Sequence, residues 1–523
     1  MKPPTLIRLA LAGTRTDVLR VVLTALTAAL AAVVVLCAIT VLLIRDRLPV
    51  VIGSDSVDRP LNDQYTNALL RESGLRPGVA LALGLLAIPV LALAGQCARL
   101  GAPARDRRLA AVRMAGATPG QAIRIAMAET AMAALLGAGA GLGAYLVGRQ
   151  VLHRPNAQGR LPLPTDVLPA TWLLAAVTLG LPALAGLTVL LTMRKVAVGP
   201  FGVVRRVRRT QGPRPWPGLV IVLGISTIAA VQPLELWYDQ RGAVMPSWVL
   251  PVALLGGGLL ATLGVVLGTG WISYTAGRML GRFAQHPAAL IAARRLTADP
   301  WTGSRTFAAL LACVLFGAGA LGVKAWFRAE FAVQREADRA SAAAHGDVFV
   351  SDAQQSDFFL RTMDLVDLAV IVALLIATGG LLVALAEGVV SRRRTNAALV
   401  ATGVPRAVLG RALVWQSLAP AVPAIMLAAT VGAVLPRGIV SEVRAGGGSW
   451  EVCEADKVIC DNPATAAAYL RLHEEPLIVR AIGVPFGELA QHTGVALGAV
   501  LLTVGIGLLL LRGSASVEEL RVG

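Results

Sequence analysis

Charged and aromatic residues are scarce in this sequence of 523 residues. Only 15% of the residues are Asp, Glu, Lys or Arg and only 5% are aromatic, whereas an ordinary soluble chain has about 25% charged residues. A soluble chain of this length would form several domains, and so few charges cannot coat their surfaces. Because 56% of the residues are hydrophobic, the composition also excludes an intrinsically disordered chain. It indicates a polytopic membrane protein whose 54 glycines favour close helix packing.

Lysine is also rare, and none of the four lysines follows a glycine. A phosphate-binding loop of the G-x-x-x-x-G-K-[ST] type is therefore absent. The five histidines are scattered, and the sequence shows no Ser-His-Asp arrangement, no H-E-x-x-H motif and no set of metal ligands. We therefore expect no enzymatic activity, no metal and no cofactor in this chain. If ATP drives the protein, ATP and Mg²⁺ are bound by a partner ATPase.

Ten apolar runs are long enough to cross a bilayer, which takes about 20 helical residues. Lipid offers no partner for an unpaired backbone group, so each run is predicted to be a helix. The predicted spans are Val21–Ile44, Pro77–Ala98, Ile125–Gly148, Val167–Met193, Pro215–Leu234, Ser247–Ser273, Thr306–Val323, Leu368–Ala386, Ala412–Pro436 and Leu489–Leu511.

An even number of spans places both termini on one side of the membrane. Arg and Lys are more frequent in the segments on that side than in the opposite loops, so the positive-inside rule makes the termini cytoplasmic. The formal net charge of +17 follows this topology. Anionic lipid, and not nucleic acid, is its expected counter-charge. We expect a multi-pass protein of the cell (plasma) membrane.

Two segments that lie 287 residues apart follow one pattern. Gly116 and Gly403 have this separation, and so do Glu129 and Gln416. Each segment has a basic stretch, a short helical pattern, a glycine, a proline turn and then a new span, and Gly followed by Pro is a typical helix stop. Six spans separate the copies, so both copies have the same orientation. This disfavours the inverted repeats of many secondary transporters.

The repeat divides the chain into three parts. Spans one to four form the first repeat, a basic linker with spans five and six follows, and spans seven to ten form the second repeat. The boundaries are 1–193, 194–285 and 286–523.

This pattern resembles the FtsX-like permease family of ABC transporters, which includes the MacB and BceB groups. The resemblance is carried by Ala-Val-Arg-Met-Ala-Gly-Ala-Thr at 111–118, by Glu129 and by the glycines from Gly137 to Gly143, with a weaker second copy at about 391–434. It implies an all-α membrane protein with ten transmembrane helices arranged 4+2+4, in two same-orientation FtsX-like four-helix repeats. Members of this family often carry a large extracytoplasmic domain, but the predicted outside loops are too short for a large independent core.

The resemblance also implies a function. The chain is expected to be the permease subunit of an ABC transporter, partnered by a separate cytoplasmic ABC ATPase that acts as a dimer. ATP hydrolysis would drive the export or extraction of an amphipathic compound, or transmit force across the membrane. Each inner segment would contain a coupling helix that docks on the ATPase. The coupling residues expected are Val112, Arg113, Gly116, Ala117 and Thr118, and then Leu399, Gly403 and Val404.

The coupling segments have a plainer alternative, which is a basic turn held to anionic headgroups. Two other functions also fit the span pattern. An ion-gradient-driven secondary transporter would need charged or broken helices near the bilayer midplane, and the sequence has proline-interrupted spans but almost no midplane charge. A signalling scaffold for a sensor kinase or a cell-wall enzyme would differ from a pump in showing no substrate flux.

Three polar side chains lie within or beside predicted spans. Glu129 is about one turn inside span three, and an intramembrane carboxylate is a functional candidate by default. We expect Glu129 instead to form a structural contact between helices, paired with Arg124 or Arg113, because Gln416 fills the equivalent position. Glu387 is expected to pair with the arginine run that follows span eight.

Cys453 and Cys460 lie in the last predicted outside loop, in a compartment where disulfides persist. We predict a disulfide between them, which would contribute roughly 2.5 kcal/mol by closing a short loop. Alkylation of the unreduced protein, followed by mass spectrometry, should leave both cysteines unmodified. Modification of both cysteines without reduction would contradict the bridge.

Overall fold

A computed structural model shows a predominantly helical chain. It describes residues 15–45, 64–71, 76–97, 114, 116–197, 212–246, 249–345, 353–453, 470–474 and 476–514. Within these ranges, nine helices are long and apolar enough to cross a membrane. The predicted class of a polytopic, mainly α-helical membrane protein agrees with this architecture.

Five helices lie in the described residues of the first predicted repeat, and four of them follow its predicted spans. They are α1 (Arg15–Leu42), α2 (Ala68–Arg71), α3 (Arg76–Cys97), α4 (Pro119–Val151) and α5 (Thr171–Ala197). Helix α3 coincides with the second predicted span and contains Pro89, but it is not among the nine helices counted above. The predicted total of ten spans therefore stays a prediction.

The rest of the chain contains a central helix pair and the second predicted repeat. Helices α6 and α7 together form one candidate span, Pro217–Asp239, which extends past the predicted end at Leu234. The helices are α6 (Pro217–Ala229), α7 (Val231–Asp239), α8 (Val249–Arg282), α9 (Pro287–Ala298), α10 (Pro300–His345), α11 (Ala353–Ser391), α12 (Arg393–Ala401), α13 (Arg406–Val434) and α14 (Phe486–Ser514), with a 3-10 turn at Pro436–Gly438.

Four short strands lie in the last predicted outside loop of this otherwise helical chain, whose small sheet content leaves the all-α expectation in agreement with the structure. Strands β1 (Glu442–Ala445) and β4 (Ile478–Ala481) pair antiparallel, and β2 (Ser449–Cys453) and β3 (Leu470–Glu474) pair antiparallel inside them. The outer pair packs on α10 through a cluster centred on the buried side chains of Val333, Val443 and Ile482. A loop too short for its own core thus shares one with the long helix α10.

The order of helix contacts within the first predicted repeat is the same as the order within the second. Helix α1 packs against α3 and α4, and α4 packs against α5; α10 packs against α11 and α13, and α13 packs against α14. Helices α3 and α11 are the second long helices of the two predicted repeats. They contact each other and so join the two repeats. The largest buried cluster lies where α6 and α8 meet α10, α11, α13 and α14.

The contact between α1 and α4 requires glycine at two positions. A Cβ atom at Gly141 would lie 2.5 Å from the carbonyl oxygen of Ala29, and one at Gly137 would overlap the backbone of Ala25. Gly139 and Gly143 have open space where a Cβ atom would be. The four glycines are therefore split into two pairs. Gly137 and Gly141 face α1 and set the distance between the two helices, whereas Gly139 and Gly143 do not.

This split gives a direct test of the packing. Gly141→Ala is expected to destabilise the protein by about 1–3 kcal/mol, because the added methyl forces α1 and α4 apart. Gly143→Ala adds the same methyl into open space, so its thermal unfolding midpoint in detergent should equal or exceed that of the wild type. Equal midpoints for the two variants would contradict the α1–α4 geometry.

Candidate functional site

The turn between α12 and α13 is fixed by Gly403. Its φ angle is +93°, a left-handed conformation that residues with a Cβ atom rarely adopt. The Gly403 amide donates to the Val400 carbonyl, and the Val404 amide donates to the Leu399 carbonyl, both at 3.0 Å. These two bonds define a Schellman motif, which satisfies the last carbonyls of α12 and reverses the chain into α13.

Leu399 and Val404 hold this turn against the membrane helices. Both are half-buried and pack on a small core made by Val389 of α11 and Leu409 of α13. Such a contact between the two ends of a Schellman motif commonly accompanies its hydrogen bonds. The predicted coupling residues Leu399 and Val404 therefore lie on the inner side of the turn, where they position α12.

The segment before α4 contains a glycine in the same left-handed conformation as Gly403. Gly116 has a φ angle of +94°, and it lies three residues before the start of α4. Thr118 caps α4: its hydroxyl accepts from the Gln121 amide, and the Gln121 side chain accepts from the Thr118 amide at 3.0 Å. This capping box fixes the direction in which the chain enters the helix. Val112 and Arg113 lie outside the described residues.

Both turns present small or apolar groups at their exposed surface. In the first, Met114 is 84% exposed, and Gly116 and Thr118 are also exposed while Ala117 is half-buried. In the second, the described exposed positions on α12 and at its C-terminal end carry short side chains, whereas Arg406 at the start of α13 is also exposed. The exposed short residues are Thr395, Ala398, Ala401 and Thr402. Short side chains allow another protein surface to approach the backbone closely.

Glu129 forms a buried ion pair with Arg20 of α1. The two residues are 7% and 5% exposed, respectively. Of the two partners expected from the sequence, Arg124 is exposed and Arg113 lies outside the described residues, whereas the partner that the structure gives belongs to a different helix. The expected role as a polar contact between helices fits this pair, which links α1 to α4 beside the glycine contact.

The second repeat replaces this pair with uncharged residues. Gln416 lies 287 residues after Glu129, and Phe307 lies 287 residues after Arg20. Phe307 and Gln416 line one cavity at the ends of α10 and α13. The Gln416 Oε1 atom is buried and has no hydrogen-bond partner among the described residues.

The other predicted site residues are less completely described. Glu387 is half-buried on α11, and its pairing with the arginine run after Ser391 stays a prediction. Cys453 ends strand β2, whereas Cys460 lies outside the described residues, so their disulfide stays a prediction. Among the described residues, no group of three or more His, Cys, Asp or Glu side chains is placed to hold a metal ion.

Sequence reasoning missed a charged cluster near the middle of α10. Lys324 Nζ lies 2.7 Å from Asp364 Oδ1 and 2.6 Å from Asp367 Oδ2. The two carboxylates lie one helical turn apart on α11, so they face the lysine together. The spacing of two acids by three residues was the available signal, but the partner helix could not be inferred from it. The cluster links α10 to α11, and on α10 it lies just before the residues that pack on the strands.

No protein-family model matches this sequence, and no curated protein matches it. The function is therefore inferred from the residues and their arrangement.

The equivalent residues of the second predicted repeat, Phe307 and Gln416, provide a comparison for the buried Arg20–Glu129 pair. Glu129→Gln leaves Arg20 buried and unpaired, and the loss of one partner of a buried pair costs about 3–5 kcal/mol. The double variant Arg20→Phe, Glu129→Gln copies the residues at positions 307 and 416. It should recover most of the thermal stability lost by the single variant, measured on protein purified in the same detergent. A double variant less stable than the single one would contradict this equivalence.

Proposed function

We propose that this chain is the membrane-spanning permease subunit of an ABC transporter, of the FtsX-like type. The observation that carries the proposal is the pair of turns at Gly116 and Gly403. They lie 287 residues apart, have φ angles of +94° and +93°, and each leads directly into a long apolar helix. Two equal turns at the ends of equally placed helices suit a protein driven by two equal ATPase subunits.

The second turn is built to move as one body with its helix. Two hydrogen bonds, and the packing of Leu399 and Val404 on the Val389–Leu409 cluster, join α12 to α13 without a flexible linker. A force applied to the exposed surface of α12 would therefore displace α13, and such rigid-body motion is a common way to transmit a conformational change. In this role Gly403, Leu399 and Val404 shape the turn, and the exposed residues around them meet the ATPase.

In the proposed arrangement both termini and both turns are cytoplasmic. A separate ABC ATPase, as a dimer, binds ATP and Mg²⁺ and touches one turn with each subunit. The permease is the mechanical part, which exports or extracts an amphipathic compound or transmits force to the other side of the membrane. The strands on α10 then lie on the outer side, where they form a small cap.

The placement of the buried charges favours this function over ion-gradient transport. Arg20 lies at the start of the first candidate span, and Glu129 satisfies it. Lys324 already has two carboxylate partners. Fully paired charges of this kind act as fixed contacts between helices, whereas a coupling-ion site needs groups that exchange a partner during transport.

The glycine conformation offers a test with a matched control. Gly116→Ala, Gly403→Ala forces two residues with Cβ atoms into left-handed conformations, each at a cost of about 1–2 kcal/mol. Gly139→Ala, Gly143→Ala makes the same chemical change where space is open and φ is not positive. The tagged proteins are purified from native membranes in mild detergent, and the co-purified ATPase is identified by mass spectrometry and assayed.

We expect the wild type and the Gly139, Gly143 variant to retain an ABC ATPase with equal activity. The Gly116, Gly403 variant should lose about fivefold or more of the retained activity, because about 1 kcal/mol corresponds to this factor. Absence of an ABC ATPase from the wild type under several mild conditions would contradict the proposal. Retention of a sensor kinase or a cell-wall enzyme instead would identify the scaffold function.

A further inference from the structure

A cavity of about 80 Å³ lies behind the second turn, between α9, α10, α11, α12 and α13. Its lining is mostly apolar, and its polar lining residues, called the rim below, are Arg295, Asp299, Arg392, Asn396, Gln416 and Ser417. The volume is sufficient for several water-sized groups. The cavity is therefore large enough for one small polar group and not for a whole organic ligand.

Two arginines converge on this cavity from different helices. Arg295 of α9 donates through Nη2 to the Asn396 Oδ1 atom of α12 at 2.9 Å. Arg392 lies at the junction of α11 and α12, and its side chain makes no hydrogen bond or ion pair with another described residue. Burial lowers the pKa of the Arg295 guanidinium, and the nearby positive charge of Arg392 lowers that pKa further.

The charges around the cavity leave a net positive rim. Asp299 contributes one carboxylate opposite the two guanidinium groups, but it is exposed and makes an interaction of its own. Like charges held together at reduced solvent access destabilise the protein unless an anion lies between them. The rim therefore favours an anion, and the planar donor array of arginine is suited to phosphate oxygens.

Gln416 adds a second, independent indication of a missing partner. Its Oε1 atom is buried without a hydrogen-bond partner among the described residues, and the residue lines the same cavity. A side-chain amide presents either its oxygen or its NH₂ group after a 180° flip. The flipped amide would donate to an anion, and a buried polar group without any partner costs about 1–3 kcal/mol.

We propose that this cavity binds a phosphate group through Arg295, Arg392 and Gln416, and that the source of this phosphate is the headgroup of an anionic phospholipid. The lipid source is favoured because the cavity opens at the ends of three apolar helices, α10, α11 and α13, on the side carrying the basic segments. Basic pockets between such helices on the cytoplasmic side are known to suit anionic headgroups. This site is distinct from the ATPase-docking surface, and it requires no ATPase for its detection.

A bound phosphate would also act on the second turn. It would bridge Arg295 of α9 to Arg392 at the start of α12, and so fasten α12 to the helix that precedes α10. The position of the turn at Gly403 would then depend on the anionic lipid content of the membrane. In the first predicted repeat the residue equivalent to Gln416 is Glu129, which pairs with Arg20. The residues equivalent to Arg295 and Arg392 are Arg8 and Arg105, and both lie outside the described residues.

The test uses the full chain in detergent and native mass spectrometry. The probes are phosphatidylglycerol, phosphatidylcholine and inorganic phosphate, each titrated against the wild type, the double variant Arg295→Gln, Arg392→Gln and the control Arg294→Gln. Arg294 is exposed on the same helix as Arg295 and does not line the cavity, so Arg294→Gln matches the single variant Arg392→Gln in its change of charge. Arg392→Gln alone also serves if the double variant does not fold, because the Arg392 side chain makes no hydrogen bond with another described residue.

We expect the wild type and the Arg294→Gln variant to bind one phosphatidylglycerol more tightly than phosphatidylcholine. The double variant should bind phosphatidylglycerol about 30-fold more weakly, in line with the loss of two arginine contacts to an anionic headgroup. Displacement of this lipid by millimolar inorganic phosphate would support the phosphate site but assign it to a soluble ligand. Equal lipid affinity in the wild type and in a folded variant lacking Arg392, or equal affinity for both lipids in the wild type, would overturn the proposal.

Discussion

The rest of the structure depends on a close approach between the first and third long helices of each predicted repeat, which are α1 and α4 in the first repeat and α10 and α13 in the second. In the first repeat, Gly137 and Gly141 let α4 meet the backbone of α1 directly. In the second, Gly432 of α13 meets the backbone of α10 at Leu315, and Ala428 and Ala424 are buried one and two turns earlier. Lipid tails are as apolar as these side chains, so close backbone packing supplies the attraction that burial supplies in water.

This packing fixes where the two turns lie. Helices α4 and α13 begin at Pro119 and Arg406, directly after the left-handed glycines, and each is held along its length by a neighbouring helix. A displaced turn must therefore move a whole helix against its partner. The buried charges add to this rigidity, because Arg20 with Glu129 and Lys324 with its two carboxylates form direct ionic contacts between helices. In the cavity behind α12 two guanidinium groups accompany one carboxylate, and the proposed phosphate would balance this charge.

Much of the helical architecture could be predicted from the sequence, because an apolar run of about 20 residues in lipid has helix as its main option. The turns at Gly116 and Gly403 were predictable for a similar reason, since Gly and Pro signals act locally. The partner of Glu129 was not, because it lies 109 residues away on another helix. The strands around Val443 escaped prediction because their core is supplied by α10. The sequence singled out Leu399 and Val404 as coupling residues. That their side chains pack on Val389 and Leu409 depends on the Schellman geometry and could not be inferred from spacing.

The central claim is that one chain presents two equivalent turns to two ATPase subunits, and the composition of the native complex tests it most directly. The complex would be purified from its own membranes in mild detergent and weighed by native mass spectrometry. The account predicts one copy of this 54.2 kDa chain together with two copies of an ABC ATPase. A complex with two copies of this chain for each ATPase pair would contradict the claim that a single chain supplies both turns. A chain that is stably isolated without any ATPase would contradict the permease function itself.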